Sequence, residues 1–298
     1  MIASPPPRLR IAAINFLNPA PLMWDFEHPP LDAAFARRYQ IDRTTPSECA
    51  ARLASGQADI GLVPIAALAA NPTLRILPGC TIASKHKVRS LLLVRRAAQP
   101  LAALRSVAAD TASRTTIAYA RILFHRWSNP SVPFIPLAAD LDRMLDHADA
   151  AILIGDPALL ALEERENRLE RTGELLDYHD LAEEWTTLTG LPFVSAVWAI
   201  ASSSSASRPS PSVSGPSVTA PLDQIARDFT RSRNHGLQNI DALVAEWSAR
   251  LPIPEKTIRT YLTANIHYIL DDECIAGMKA FFTEAAALGI LPPYNPAL

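Results

Sequence analysis

The sequence predicts an α/β protein built as two lobes, and three observations lead there. First, apolar strand-like runs alternate with amphipathic helix-like stretches from Leu9 onward, the pattern of βαβ units and largely parallel sheets. Second, two long apolar runs, residues 88–94 and 191–200, bracket a middle α/β section. A chain that leaves one lobe through one strand and returns through another has two crossings and a cleft between the lobes. Third, 298 residues are enough for two core-bearing lobes. The expected division is residues 8–95 plus 196–298 for the first lobe and 96–195 for the second.

The elements follow in order. A strand-like run over residues 11–17 ends at Asn18, and Pro19-Ala-Pro21 opens a helix, since proline is tolerated in a first helical turn. Asn18 therefore stands at a strand's carboxyl end, where it is either a helix cap or a ligand contact. Residues 39–44 read as a strand, 46–56 as a helix stopped by Gly56, 58–64 as a buried strand and 65–70 as a helix closed by Asn71-Pro72. Residues 74–77 and 81–84 are two further strand candidates. In the 88–94 strand Ser90 is the single uncharged polar residue, and burial on both faces would oblige its hydroxyl to find a partner or a ligand.

The middle section begins with a strand at 106–110. Thr111-Ala-Ser113-Arg114-Thr115-Thr116 then leads into a helix over 117–127 with Ile117, Ala120, Ile122, Leu123 and Trp127 near one face. Four hydroxyls in six residues at a helix start serve either as caps or as an anion site, where free N–H groups and the helix dipole converge. Further strands are expected at 134–137, 150–154 and 175–178, and helices at 140–147 and 181–188, with 163–171 a charged, solvated stretch. Gly155 at a strand end permits close backbone approach, and Asp156 either touches a ligand hydroxyl or caps the helix that Pro157 begins. Residues 202–219, rich in Ser and Pro, cannot bury a core. Helices are expected over 221–231, 240–251, 254–270 and 272–288, packing on the first lobe.

Composition excludes several functions. With 28 basic and 30 acidic residues the net charge is −2, so nothing favours nucleic acid or an anionic membrane as partner. No apolar run is long enough to span a bilayer, and the start, MIASPPPRLR, lacks the apolar core of a secretory signal, so a cytoplasmic protein is expected. Cys49, Cys80 and Cys274 are far apart and fit isolated reduced thiols. Only ten glycines occur, with neither GxGxxG nor GxxxxGK[ST]. HExxH, CxxC and GxSxG are absent too, so no metal site and no nucleotide loop is expected. The residues alone lead to a two-lobe α/β protein with polar groups at strand ends that binds something small. They carry no signal for an oligomeric state.

An ordered set of segments goes further. Ile14-Asn-Phe-Leu-Asn18-x-x-Pro21-Leu22, Ala58-Asp-Ile-Gly-Leu-x-Pro64, Val88-Arg-Ser90, Asp110-Thr-x-Ser113-Arg-Thr115, Ile154-Gly-Asp156-Pro-Ala and Thr189-Gly-Leu-Pro-Phe-Val194 with Trp198 are followed by Tyr261-Leu-Thr-x-x-Ile-x-Tyr268 and Gly277-x-x-x-Phe281. Together they resemble the chorismate dehydratase family of the futalosine route to menaquinone. The resemblance implies a type II periplasmic-binding-protein-like fold and loss of water from chorismate to give 3-[(1-carboxyvinyl)oxy]benzoate, with no cofactor and no metal. It places the family's functional Asn and Ser on Asn18 and Ser90. Substrate contacts are then expected from Ser84, Arg89, Ser113, Arg114, Thr115, Gly155 and Asp156. Two positions depart from the family pattern: Ser195, where a larger aromatic residue is expected, and Thr116, where Ser is common. The competing readings are the sister enzyme that makes 1,4-dihydroxy-6-naphthoate, on the same fold, and a non-catalytic binding protein for a small anion.

Overall fold

The computed structural model describes residues 8–28, 33–110, 114–201 and 222–296, and the Ser/Pro-rich stretch lies outside them. Eleven strands among these residues form two sheets: β1 (Leu9–Ile14), β2 (Tyr39–Thr44), β3 (Ile60–Pro64), β4 (Leu74–Ser84), β5 (Leu91–Arg96), β6 (Val107–Asp110), β7 (Phe134–Leu137), β8 (Ala150–Ile154), β9 (Leu176–Asp180), β10 (Phe193–Ala201) and β11 (His267–Leu270). The six-stranded sheet runs β11-β4-β10-β3-β1-β2, and the five-stranded sheet runs β7-β6-β8-β5-β9.

Both sheets are assembled by one rule. In the first, β1 pairs in parallel with β2 and β3; in the second, β6 pairs in parallel with β7 and β8. The strand that follows each crossing is then inserted antiparallel: β10 between β3 and β4, and β5 between β8 and β9. Each inserted strand is apolar on both faces because each is covered on both sides. Along β5, Leu91 and Leu93 enter one core while Leu92 and Val94 enter a second core on the other face, the period-two alternation of a pleated strand. The crossings themselves are short: residues 85–90 lead out, and residues 190–192 lead back.

Several expectations need correction. The 88–94 run is not one strand leaving the first lobe. β5 starts only at Leu91 and lies wholly in the second sheet, so Arg89 and Ser90 belong to the crossing. The two candidates at 74–77 and 81–84 are one strand, with Gly79 at φ +96° absorbing the irregularity between them. The helix expected over 254–270 stops early. Glu255–Thr260 is α-helical, Tyr261–Asn265 forms a π-helical turn, and His267–Leu270 instead pairs antiparallel with β4. A free sheet edge offers hydrogen bonds that helix propensity cannot match there. The helix expected over 221–231 runs on to Gln238, the helix Ala33–Arg38 was not expected, and the charged stretch at 163–171 holds the helix Arg165–Thr172, which buries Arg168; most other elements fall within a few residues of expectation.

The C-terminal helices fasten the loop after β1. The Ser232 hydroxyl, on the helix Leu222–Gln238, donates to the Leu22 carbonyl at 2.8 Å and accepts from the Asp25 N–H at 3.0 Å. Gly236 lets that helix lie directly on the chain: a methyl there would sit 2.1 Å from the Pro21 carbonyl oxygen.

Candidate functional site

In both sheets the parallel strands end at the interface between the lobes. Asn15–Asn18 follow β1 and Ile65–Ala66 follow β3. Facing them, Gly155–Asp156 follow β8, and the helix Arg114–Arg126 follows β6. Carboxyl ends of parallel strands are where open α/β sheets bind ligands. Two hydrogen bonds tie the opposed ends together. The Leu17 N–H donates to Asp156 Oδ1 at 2.9 Å, and the Ala66 N–H donates to Thr115 Oγ1 at 3.0 Å.

Asn18 is not a helix cap. Pro19 occupies the cap position of the short 3₁₀ turn Ala20–Met23, and no side chain caps that turn. Freed from capping, the Asn18 amide interacts with the Tyr261 hydroxyl, while its Oδ1 is buried without a hydrogen-bond partner. Ser90, almost fully buried, accepts a hydrogen bond at 2.8 Å from the same Tyr261 hydroxyl, and its carbonyl accepts from the Gly155 N–H at 2.8 Å. Ser90 from the crossing thus bonds the tyrosine beside Asn18 of the first lobe, while Gly155 of the second lobe holds the Ser90 backbone.

The crossing is held by Asp180, whose carboxylate takes four N–H groups. Val88 and Arg89 donate to Oδ2 at 3.0 and 2.6 Å, and Ala182 and Glu183 donate to Oδ1 at 3.0 and 3.2 Å. The second pair caps the helix Leu181–Thr189. Arg89 adopts φ +65°, a left-handed conformation that side chains disfavour by about 1–2 kcal/mol. That twist turns the chain into β5 and aims Ser90 at Tyr261.

Gly155 fits its position for two reasons. Its φ is +61°, and an added methyl would lie 2.7 Å from the Phe16 ring of the opposite lobe. Asp156 does not cap the helix Gly155–Glu163 either; its oxygen is given to Leu17 across the interface. Burial pushes its carboxyl up to about 6, and the Leu17 N–H offsets only part of that rise. Burial likewise raises the Tyr261 phenol well above its ordinary value, against the hydrogen bond with Ser90, and Asp156 and Asp180 push it the same way. Tyr261 is therefore a neutral donor at any working pH.

Other predicted residues are engaged elsewhere. Ser84 closes its own turn, donating to the His86 carbonyl at 3.0 Å and accepting from the His86 N–H at 3.3 Å. The Arg89 guanidinium pairs with Glu163 at 2.9 Å, and Glu163 also accepts from Thr257. Thr115 is buried and Arg114 is exposed in the first turn of its helix, while Ser113 lies outside the described residues. The carbonyl of Ser195 accepts from Ile65, so that position binds the first lobe through its backbone. Tyr261 was not foreseen as a site residue. Its place in the Tyr261-to-Tyr268 segment was visible, but a helix reading gave its hydroxyl no destination.

Two α/β lobes that present strand ends and polar groups to each other, joined by two crossings, define a periplasmic-binding-protein-like fold. Solved structures agree. An alkanesulfonate-binding protein, SsuA, from Xanthomonas axonopodis pv. citri superposes with a TM-score of 0.62 at 17% identity, covering 97% of this chain and 96% of that one. A Candida albicans protein described as having the generic periplasmic binding protein fold gives 0.64 at 15% identity, covering 97% and 92%. Sequence narrows this further: residues 9–287 match the menaquinone biosynthesis family, and the chain belongs to it. A chorismate dehydratase of Thermus thermophilus is 27% identical over 267 residues, 87% of this chain and 90% of that protein. No helix among the described residues is long and apolar enough to cross a membrane.

Proposed function

We propose that this protein is a chorismate dehydratase, a hydro-lyase that removes water from chorismate to give 3-[(1-carboxyvinyl)oxy]benzoate, and that it works in the cytoplasm. The observation that carries the reading is the meeting of Asn18 and Ser90 at one buried hydroxyl between the lobes, in a chain of the menaquinone biosynthesis family.

The reaction asks for what this arrangement offers. The C3–H bond breaks and its electron pair enters the ring, while the C4–O bond breaks and its pair leaves on oxygen. The hydroxide departs with the C3 proton as water, and the ring becomes aromatic. Neither Asn18 nor Ser90 ionises near neutral pH, so their work is orientation and hydrogen bonding. In this reading the Ser90 O–H donates to the C4 oxygen as charge develops there. The unpartnered Asn18 Oδ1 accepts from the same hydroxyl and holds it in place. A carboxylate of the substrate serves as base.

The two substrate carboxylates are assigned to the start of the helix Arg114–Arg126, with the Arg114 charge and the Ser113 and Thr115 hydroxyls. Thr115 Oγ1 accepts from Ala66, which leaves its own hydrogen for a carboxylate. Gly155 and Asp156 form the opposite wall, where closure depends on the bond to Leu17. No cofactor and no metal takes part in this scheme.

The test is incubation of the protein with chorismate in the presence of a chelator, followed by ultraviolet absorption and mass spectrometry. An aromatic product one water lighter than chorismate is expected. Unchanged chorismate refutes the reading. Formation of 1,4-dihydroxy-6-naphthoate from the pathway's later intermediate would then indicate the sister enzyme, and thermal stabilisation by an unrelated anion without turnover would indicate a binding protein.

A further inference from the structure

Tyr261 belongs to neither of the residue types assigned above, yet it contacts both. It is fully buried and is the first residue of the π-helical turn Tyr261–Asn265. Such turns interrupt helices at a cost and recur at functional sites. Here the extra residue in the turn ends the helix and carries the chain into β11, fixing the tyrosine at the crossing between the lobes.

A serine hydroxyl has one hydrogen and two lone pairs. Because Tyr261 donates into Ser90 Oγ at 2.8 Å, the Ser90 hydrogen cannot return to the tyrosine and must point elsewhere. The Ser90 carbonyl is already taken by Gly155. Nearby, Asn18 Oδ1 is buried without a hydrogen-bond partner. The hydrogen bond therefore runs in one direction, from the tyrosine O–H to Ser90. Donors in such a chain polarise one another, so the terminal Ser90 hydrogen is a stronger donor than that of an isolated serine.

We propose that Tyr261 is the positioning residue of the elimination, directing the Ser90 O–H onto the departing C4 hydroxyl. This rests on the assignment of Asn18 and Ser90 made above. Tyr261 gains and loses no proton in the cycle. The bonds broken are C3–H and C4–O, and the bonds formed are the ring C3=C4 double bond and the O–H bond of the departing water.

The test is a double-mutant cycle on the full chain with chorismate as substrate, using Tyr261→Phe, Ser90→Ala and the pair together. Tyr261→Phe is expected to lower kcat about 10-fold with KM within about threefold, since binding groups are untouched and one donor to Ser90 is gone. Ser90→Ala is expected to lower kcat about 100-fold or more. The double variant should fall no further than Ser90→Ala, because Tyr261 acts through Ser90. A Tyr261→Phe enzyme with kcat within about twofold of wild type overturns the proposal, as do losses that multiply in the double variant. If Tyr261→Phe fails to fold, a ring-fluorinated tyrosine at 261 takes its place. Its hydroxyl is more acidic yet stays neutral when buried, so it donates more strongly to Ser90 and kcat must change by more than about twofold; an unchanged kcat overturns the proposal. Failure of the underlying reading is separate: there, Ser90→Ala itself retains full turnover, or the wild type leaves chorismate unchanged.

Discussion

Asp156→Asn separates the cost of a buried carboxylate from its use. In the folded protein the Asp156 carboxyl is pushed up to about 6, chiefly because burial removes water from its charged form. Against its ordinary value of 3.8, at about 1.4 kcal/mol per pH unit, that gap is worth about 3 kcal/mol. The sign follows from linkage: the folded state holds this proton more tightly than the unfolded chain. The stabilisation is therefore complete below pH 3.8, and is lost as pH rises through about 6. An asparagine is neutral throughout, and its oxygen can accept the same Leu17 N–H. Its extra N–H groups need partners, a cost of about 1 kcal/mol. The variant should thus be more stable than the wild type by about 2 kcal/mol at pH 8, or roughly 4–8 °C in Tm. The advantage should shrink as pH falls through about 6, vanish near about pH 4.5 and turn to about 1 kcal/mol in favour of the wild type at lower pH. Urea or thermal unfolding of both proteins across this range measures it. An Asp156→Asn protein no more stable than wild type at pH 8, or one whose advantage is the same at every pH, would refute the argument. Reduced turnover alongside greater stability would mark Asp156 as retained for function.

Three further outcomes are expected. Asn18→Ala should cut kcat by about 10²–10³ with the fold intact, and turnover within about twofold of wild type would remove Asn18 from the site. Gly155→Ala should destabilise the protein by about 1–2 kcal/mol through its backbone conformation alone, with a further loss where the methyl meets Phe16. Adding Phe16→Ala should recover only the second part in denaturant titrations. Asp180→Ala leaves four N–H groups without their acceptor and should cost about 3 kcal/mol, lowering Tm by roughly 6–12 °C. Because Val88 and Arg89 lose their anchor, kcat should fall as well, which steady-state assay of the folded fraction would detect.

Legibility differed between fold and site. Asn18 was visible as a polar residue at the end of an apolar run and Ser90 as the single uncharged polar residue within one, both local properties. Their meeting point was not, because Tyr261 lies 171 residues beyond Ser90 in the chain. Asp156 stood out as a carboxylate at a strand end, but whether it capped its own helix or reached across to Leu17 depended on how the lobes close. Ser84 and Arg89 illustrate the opposite case. Both lie close to Ser90 in sequence, yet short-range turn geometry and Glu163 engage their side chains.

What the sequence determined by itself was the architecture: alternating strands and helices, two apolar runs that bracket a second lobe, and capping or turn residues that set most element ends. These follow from hydrophobic periodicity and local backbone chemistry, which neighbouring residues specify. Only the tertiary structure decided where β5 belongs, that residues 267–270 form an edge strand, and that Tyr261 and the distant Ser90 share a hydrogen bond. Those features depend on which sheet edge is available and which buried hydroxyl lacks a partner. Pairing and burial of that kind come from packing of the whole molecule, and no local pattern encodes them.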